Sequence, residues 1–100
     1  MFKVGDILTY AFQYSARHPH FVRVVRVTPK SVAVEQLENK IVSHDGYGQN
    51  GCVVANLDAP ANPVSGTFRV KESKYFGEYC KISGCYATLW NGTPEEFYTD

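Results

Sequence analysis

Long apolar runs are missing from this sequence. None approaches the roughly 18 apolar residues of a membrane-spanning helix. The opening Met1-Phe2-Lys3-Val4-Gly5-Asp6 lacks the apolar stretch of a secretory signal, so none is expected. A surplus of either charge is missing too: ten basic and ten acidic residues cancel to a formal charge of zero. A domain that lives mainly by neutralising phosphates shows a basic excess, and an acidic mimic of DNA the reverse. Any nucleic-acid site here must therefore be a local patch. Cysteine is sparse and odd in number. Cys52, Cys80 and Cys85 have no disulfide-framework spacing and read as free thiols of a cytoplasmic protein. There is no phosphate loop, no Gly-x-Ser-x-Gly and no His-Glu-x-x-His, so no enzyme signature and no cofactor is indicated.

Helical periodicity is nearly absent as well, and period-two alternation dominates what is there. At 100 residues, 44% hydrophobic and 20% charged, the chain has the means for one modest core in one folded domain. Leu8, Tyr10, Phe12 and Tyr14 fall on one face of a first strand, with Thr9, Ala11 and Gln13 on the other. Ser15 to Pro19 breaks the alternation, and the proline is expected to end that strand or begin a loop. A second strand is expected over roughly residues 20–27 and a third over 31–38. Val22 and Val24 share one parity, Val25 and Val27 the other. One β-bulge near Val24-Val25 would turn all four valines inward and Arg23 and Arg26 outward. Pro29 cannot take positive φ, so the turn between these strands is not type I′. A type I turn with a bulge at Lys30 or Ser31 is expected instead.

Further on, residues 39–50 read as a long loop or an irregular hairpin and 51–56 as a short strand. A loop over 57–66 and a strand over 67–71 follow. "YCKISGCYATLW", residues 79–90, reads as one long strand bent at Gly84. Thr93-Pro94-Glu95-Glu96 reads as a cap and a first helical turn. Asn91-Gly92-Thr93 matches a glycosylation sequon, but without secretion it is an Asn-Gly turn. Five to six short strands with no long helix predict an all-β fold, a small SH3-like or OB-like barrel.

Residues 3–37, "KVGDILTYAFQYSARHPHFVRVVRVTPKSVAVEQL", resemble the front half of a family of small proteins encoded by phages, plasmids and other mobile elements. Its members read Gly-Asp-Ile, then Tyr-Ser-Trp-Gly-Tyr, then Phe-Tyr-x-Val-Val-x-Val-Thr. The ending "YATLWNGTP" is similar to the family's Tyr-Ala-x-x-Trp-Asp-Gly-Lys-Pro close. Phe12 and Gln13 stand where the family has Trp and Gly, and His20 where it often has Asp. The resemblance implies a mobile-element origin and carries over no catalytic residue.

Several groups invite a chemical reading, and each has a plainer one beside it. His18 and His20 with Cys80 and Cys85 make four zinc-ligand types, yet the two cysteines have opposite parity along the expected single strand and would face opposite sides. A polar loop and buried thiols are expected there, with no metal. The aromatic content, 14%, is the most unusual feature. Tyr10, Phe12 and Tyr14 would be either barrel core or a stacking platform for bases. Tyr75, Phe76 and Tyr79 flank a turn where not all can be interior, and an exposed cluster there suits a protein interface. Arg17, Arg23, Arg26 and Lys30 make a local group of cations, with Glu35 in cross-strand reach of the strand arginines. A solvated hairpin face explains them without further assumption; a nucleic-acid or protein contact is the alternative. Tyr14, Arg17, His18 and His20, expected outside the hydrogen-bonded ladder, complete the candidate binding surface. The sequence thus points to a non-enzymatic protein that binds a host protein or nucleoprotein, as a defence-system inhibitor would. A small nucleic-acid-binding barrel is the alternative.

Overall fold

Alternation over the first strand is obeyed: Leu8 and Tyr10 are buried in one apolar cluster and Phe12 packs against it. The computed structural model describes residues 1–13, 16–44 and 50–98. They form ten strands: β1 Ile7–Gln13, β2 Arg17–Val27, β3 Ser31–His44, β4 Asn50–Asn56, β5 Asn62–Pro63, β6 Phe68–Arg69, β7 Lys71–Ser73, β8 Gly77–Ile82, β9 Cys85–Leu89 and β10 Glu95–Tyr98. The fold is all-β, and among the described residues there is no helix. β2 pairs β3, β3 pairs β4, β4 pairs β10, and β10 returns to β2 at Tyr98 and Arg17, which closes a four-stranded barrel. β1, β9, β8 and β7 extend the sheet outward from β2.

The sequence places strand two correctly but begins it too late. Pro19 lies inside β2, opposite Ala11, and is buried. Even-numbered residues of β1 bond to β2, as the Val24 N–H donated to the Asp6 carbonyl shows. Odd-numbered residues of β2, Pro19 among them, therefore turn their backbone groups toward β3. The β2–β3 ladder stops at Phe21 and Leu37, just before the ring nitrogen that has no hydrogen to donate. There the Asn39 side chain donates to the Pro19 carbonyl at 2.8 Å, and β3 goes on to pair with β4 instead. Pro19 thus ends one ladder and leaves the strand intact, so Arg17, His18 and His20 sit in the sheet and not in a loop.

The bulge is present, with one consequence different from the expectation. The register shifts between Val24 and Arg26, so Val25 is the extra residue. Arg23 and Arg26 then face Glu35 and Ala33, which share one face of β3. Val22 and Val24 are buried, but Val25, the unpaired residue of the bulge, is 43% exposed, and Val27 at the strand end is exposed as well. All four valines do not turn inward. At the turn, neither Pro29 nor Lys30 has positive φ, and the pair has no register shift at Lys30 or Ser31. The Thr28 hydroxyl instead accepts from the Ser31 N–H at 3.0 Å, in the place a carbonyl takes in a primed turn.

Of the two readings of residues 39–50, the irregular hairpin holds over the described residues: 39–44 belong to β3, whose pairing with β4 has an extra residue at Val42. Two other expectations are corrected. Residues 79–90 are a hairpin: Ser83 and Gly84 both have positive φ, 52° and 79°, the signature of a two-residue type I′ turn. The tail is strand β10 and not a helical turn, because Phe97 packs with the barrel core and the backbone of Glu95–Tyr98 fills the gap between β4 and β2.

Two apolar clusters lie on opposite faces of the central strands. Phe2, Leu8, Tyr10, Val22, Val24, Val32, Val34, Cys80, Ile82 and Ala87 form one. Phe21, Leu37, Val53 and Ala55 form the other, with Ile7, Ala61, Trp90 and Phe97 against them. β2 therefore buries consecutive residues, Phe21 to one side and Val22 to the other.

Candidate functional site

The cations of β2 are held by its ladder, and their spacing divides them. Directly opposite Glu35, Arg23 gives its Oε1 a hydrogen bond from Nε at 2.7 Å and an ion pair from Nη2 at 2.5 Å. Both side chains are partly exposed, so the pair contributes at most ~1 kcal/mol. Arg17, at the other end, donates to the Glu96 carbonyl and ties β2 to β10. Nine residues of strand separate Arg17 from Arg26, about 30 Å at the usual rise. The expected stripe is thus two separate ends.

At one end Lys30, from the turn, meets Arg69 and Lys71 around a cleft of about 310 Å³ that Glu72 and Glu78 also line. β6 brings them there: Arg69 pairs with Ser31, and the Val70 N–H donates to the Lys30 carbonyl at 2.9 Å. Sequence reasoning missed this grouping. The alternation of Phe68 and Val70 with Arg69 and Lys71 was the available signal, but it could not say which strand lay alongside.

At the other end His20 stacks on Tyr10 with ring centres 5.2 Å apart and meets Phe12 edge-on at 5.4 Å. Tyr10 is core, and its hydroxyl donates to Gln36 Oε1 at 3.4 Å. Phe12 is partly buried against the same cluster. His18 is exposed, and with Pro19, His20, Asn39, Ile41, Val53 and Phe97 it lines a small apolar cleft of about 290 Å³. Tyr14 lies outside the described residues. Burial first, and then the like charge of His18, hold the His20 imidazole below its ordinary 6.5. The fold therefore favours neutral His20. The stability this gives is complete above the unfolded-state value and declines as pH falls below about 6.5. Between neutral pH and about 5.5, where carboxylates change little, the melting temperature should fall, and His20→Phe should flatten that dependence. An unchanged slope in the variant would contradict the assignment.

The hairpin turn at Ser83-Gly84 also corrects the cysteine geometry. Cys80 pairs with Ala87 and Cys85 with Ile82, so both thiols join the same apolar cluster instead of facing opposite sides. All three cysteines are free. Among the described residues, no three His, Cys, Asp or Glu side chains gather where they could hold a metal. Burial pushes the Cys80 thiol up to about 11, which leaves almost none of the reactive thiolate at neutral pH. Cys52 and Cys85 are half-buried. A thiol reagent should label two cysteines in the native protein and the third only on denaturation; fast native labelling of Cys80 would refute this.

The outer face of β8 and β9 is aromatic. Phe76, Tyr79 and Tyr86 form a triangle with ring centres 5.2, 5.0 and 5.6 Å apart. Phe76 is 46% and Tyr86 52% exposed, and Tyr75 beside them is 84% exposed. Lys81 Nζ lies 5.3 Å from the Tyr86 ring centre and Lys74 Nζ 5.4 Å from that of Tyr75. Tyr86 joins because the hairpin register sets it opposite Lys81, next to Tyr79, a neighbour that a single bent strand would not provide. Next to this face, a cleft of about 480 Å³ runs between β1 and β9, with Arg17 and Glu95 on its far side.

Comparison of the chain with protein-family models, with curated proteins and with solved structures finds no match. Among the described residues no helix is long and apolar enough to cross a membrane.

Proposed function

We propose that this chain is a non-enzymatic binding protein of a phage or other mobile element, and that it occupies a protein of the host cytoplasm, as a defence-system inhibitor does. The observation that carries this reading is the Phe76–Tyr79–Tyr86 triangle, with Tyr75 exposed beside it. Large rings held against one another lose little conformational freedom on binding, and aromatic residues dominate interface energetics. An apolar surface of this kind is costly to leave in water unless a partner covers it. The mobile-element origin rests on the sequence resemblance alone. Capture from host-cell lysate, with the wild type and a Phe76→Ser/Tyr86→Ser variant side by side, tests the reading. A stoichiometric partner retained by the wild type and lost by the folded variant is expected; equal retention would refute the aromatic face.

One observation favours a second reading, a small nucleic-acid-binding barrel. Lys30, Arg69 and Lys71 converge on one cleft, a local basic patch on a chain of zero net charge. A steep fall of nucleic-acid affinity with salt, reduced by Lys71→Ala, would support phosphate contacts there.

A further inference from the structure

Antiparallel strands normally stay paired for as long as both continue, but β1 and β9 do not. Their register holds at Leu8 with Leu89 and Thr9 with Thr88 and stops there, although β1 runs on to Gln13 and β9 begins at Cys85. Extended by two residues, that register would set Ala11 against Tyr86. The Trp90 N–H donates to the Ile7 carbonyl at 2.8 Å, so odd-numbered residues of β1 turn their backbone groups toward β9. In the two-residue hairpin, Ile82 and Cys85 close the turn, so Tyr86, like Thr88, turns its backbone groups away from β8 and toward β1. The N–H and C=O of Ala11 and of Tyr86 therefore face each other across the cleft of about 480 Å³ that both residues line. Among the described residues, no other group bonds to them on that side.

We propose that this cleft takes an extended peptide segment of the protein partner, which adds as a strand to the open edges of β1 and β9. The inference rests on the protein-binding reading above and names the form in which the partner binds. Unpaired backbone donors and acceptors on a strand edge are the chemistry that recognises another strand, and partly separated strands are where segments insert. The outermost strand, β7, offers no comparable edge: it is three residues long, and two of them are Lys71 and Glu72. Side chains of an added strand alternate between faces. One set would meet Phe12 and Cys85, which pack on the core below, and the other would lie beside Tyr86, Arg17 and Glu95. The preferred segment is thus one with apolar residues at every second position.

A display library of short random peptides, panned on the intact chain, supplies the probe. Ala11→Pro is the deciding variant: the N–H it removes points into the cleft and not toward β2, so no existing ladder bond is lost. Selected peptides should bind Ala11→Pro about tenfold more weakly or worse, bind Ala11→Val normally, and protect the Ala11 and Tyr86 amides of the wild type from hydrogen exchange. If Ala11→Pro does not fold, the amide protection in the wild type decides. The added strand is refuted if no peptide is retained above background, if protection falls elsewhere, or if folded Ala11→Pro binds as the wild type does. Peptides indifferent to Ala11→Pro but lost on Phe76→Ser would leave the aromatic face standing and refute only the added strand.

Discussion

Phe21→Ala should destabilise the protein by about 3–5 kcal/mol, the usual cost of emptying a buried aromatic site. Phe21 is fully buried and is the largest such side chain in the core. It occupies the centre of the barrel cluster with Leu37 and Val53, and the Trp90 ring packs edge-on against it at 5.0 Å. Small neighbours such as Ala55 and Ala61 cannot move in to fill the space. A domain of this size has roughly 5–15 kcal/mol of stability, so the variant would be close to unfolding. Trp90 is the only tryptophan, and its fluorescence during urea unfolding measures the effect directly. A loss under about 1 kcal/mol would mean that the barrel interior is not packed around Phe21.

Gly51→Ala should be nearly as damaging, through crowding. Gly51 lies between two strands, opposite His44 of β3 and Phe97 of β10. An added Cβ would sit inside contact distance of the Ser43 carbonyl oxygen and 2.9 Å from both the His44 Cα and the Phe97 ring. Two of these three obstacles are backbone atoms, which cannot swing aside. The strands that close the barrel would have to part, at a cost of roughly 1–3 kcal/mol or more. Gly84→Ala makes a useful contrast: it meets no atom, and the strain is confined to its left-handed φ of 79°. A Gly51→Ala protein as stable as the wild type would refute the tight β3–β4–β10 junction.

How much of this was legible in the sequence depended on whether the signal was local. The β1 alternation and the bulge that sets Arg23 and Arg26 on one face could be read, as could the reach from Arg23 to Glu35, because each involves neighbouring strands or a single parity. Pro19 misled because a proline removes a donor on one side of a strand only, and which side matters depends on the partner. Gly84 reads as a bend because the apolar positions before and after it suit a continuous strand as well as a hairpin. β10 is too short to be recognised by itself; only the gap between β4 and β2 makes it a strand. The same limit applied to the candidate sites. Lys30 was visible, but Arg69 and Lys71 join it through β6, more than thirty residues along the chain. Phe76 and Tyr79 were visible as a cluster near a turn, whereas Tyr86 joins them through the hairpin register.

The central claim is that this barrel binds a protein through the face built on β8 and β9. Hydrogen–deuterium exchange on the complex with a captured partner tests it most directly, because it locates the contact without any mutation. The account predicts slower exchange over residues 74–88, together with Ala11, and little change around residues 29–31 and 69–71. Protection confined to the Lys30–Arg69–Lys71 end, with residues 74–88 exchanging as in the free protein, would contradict it.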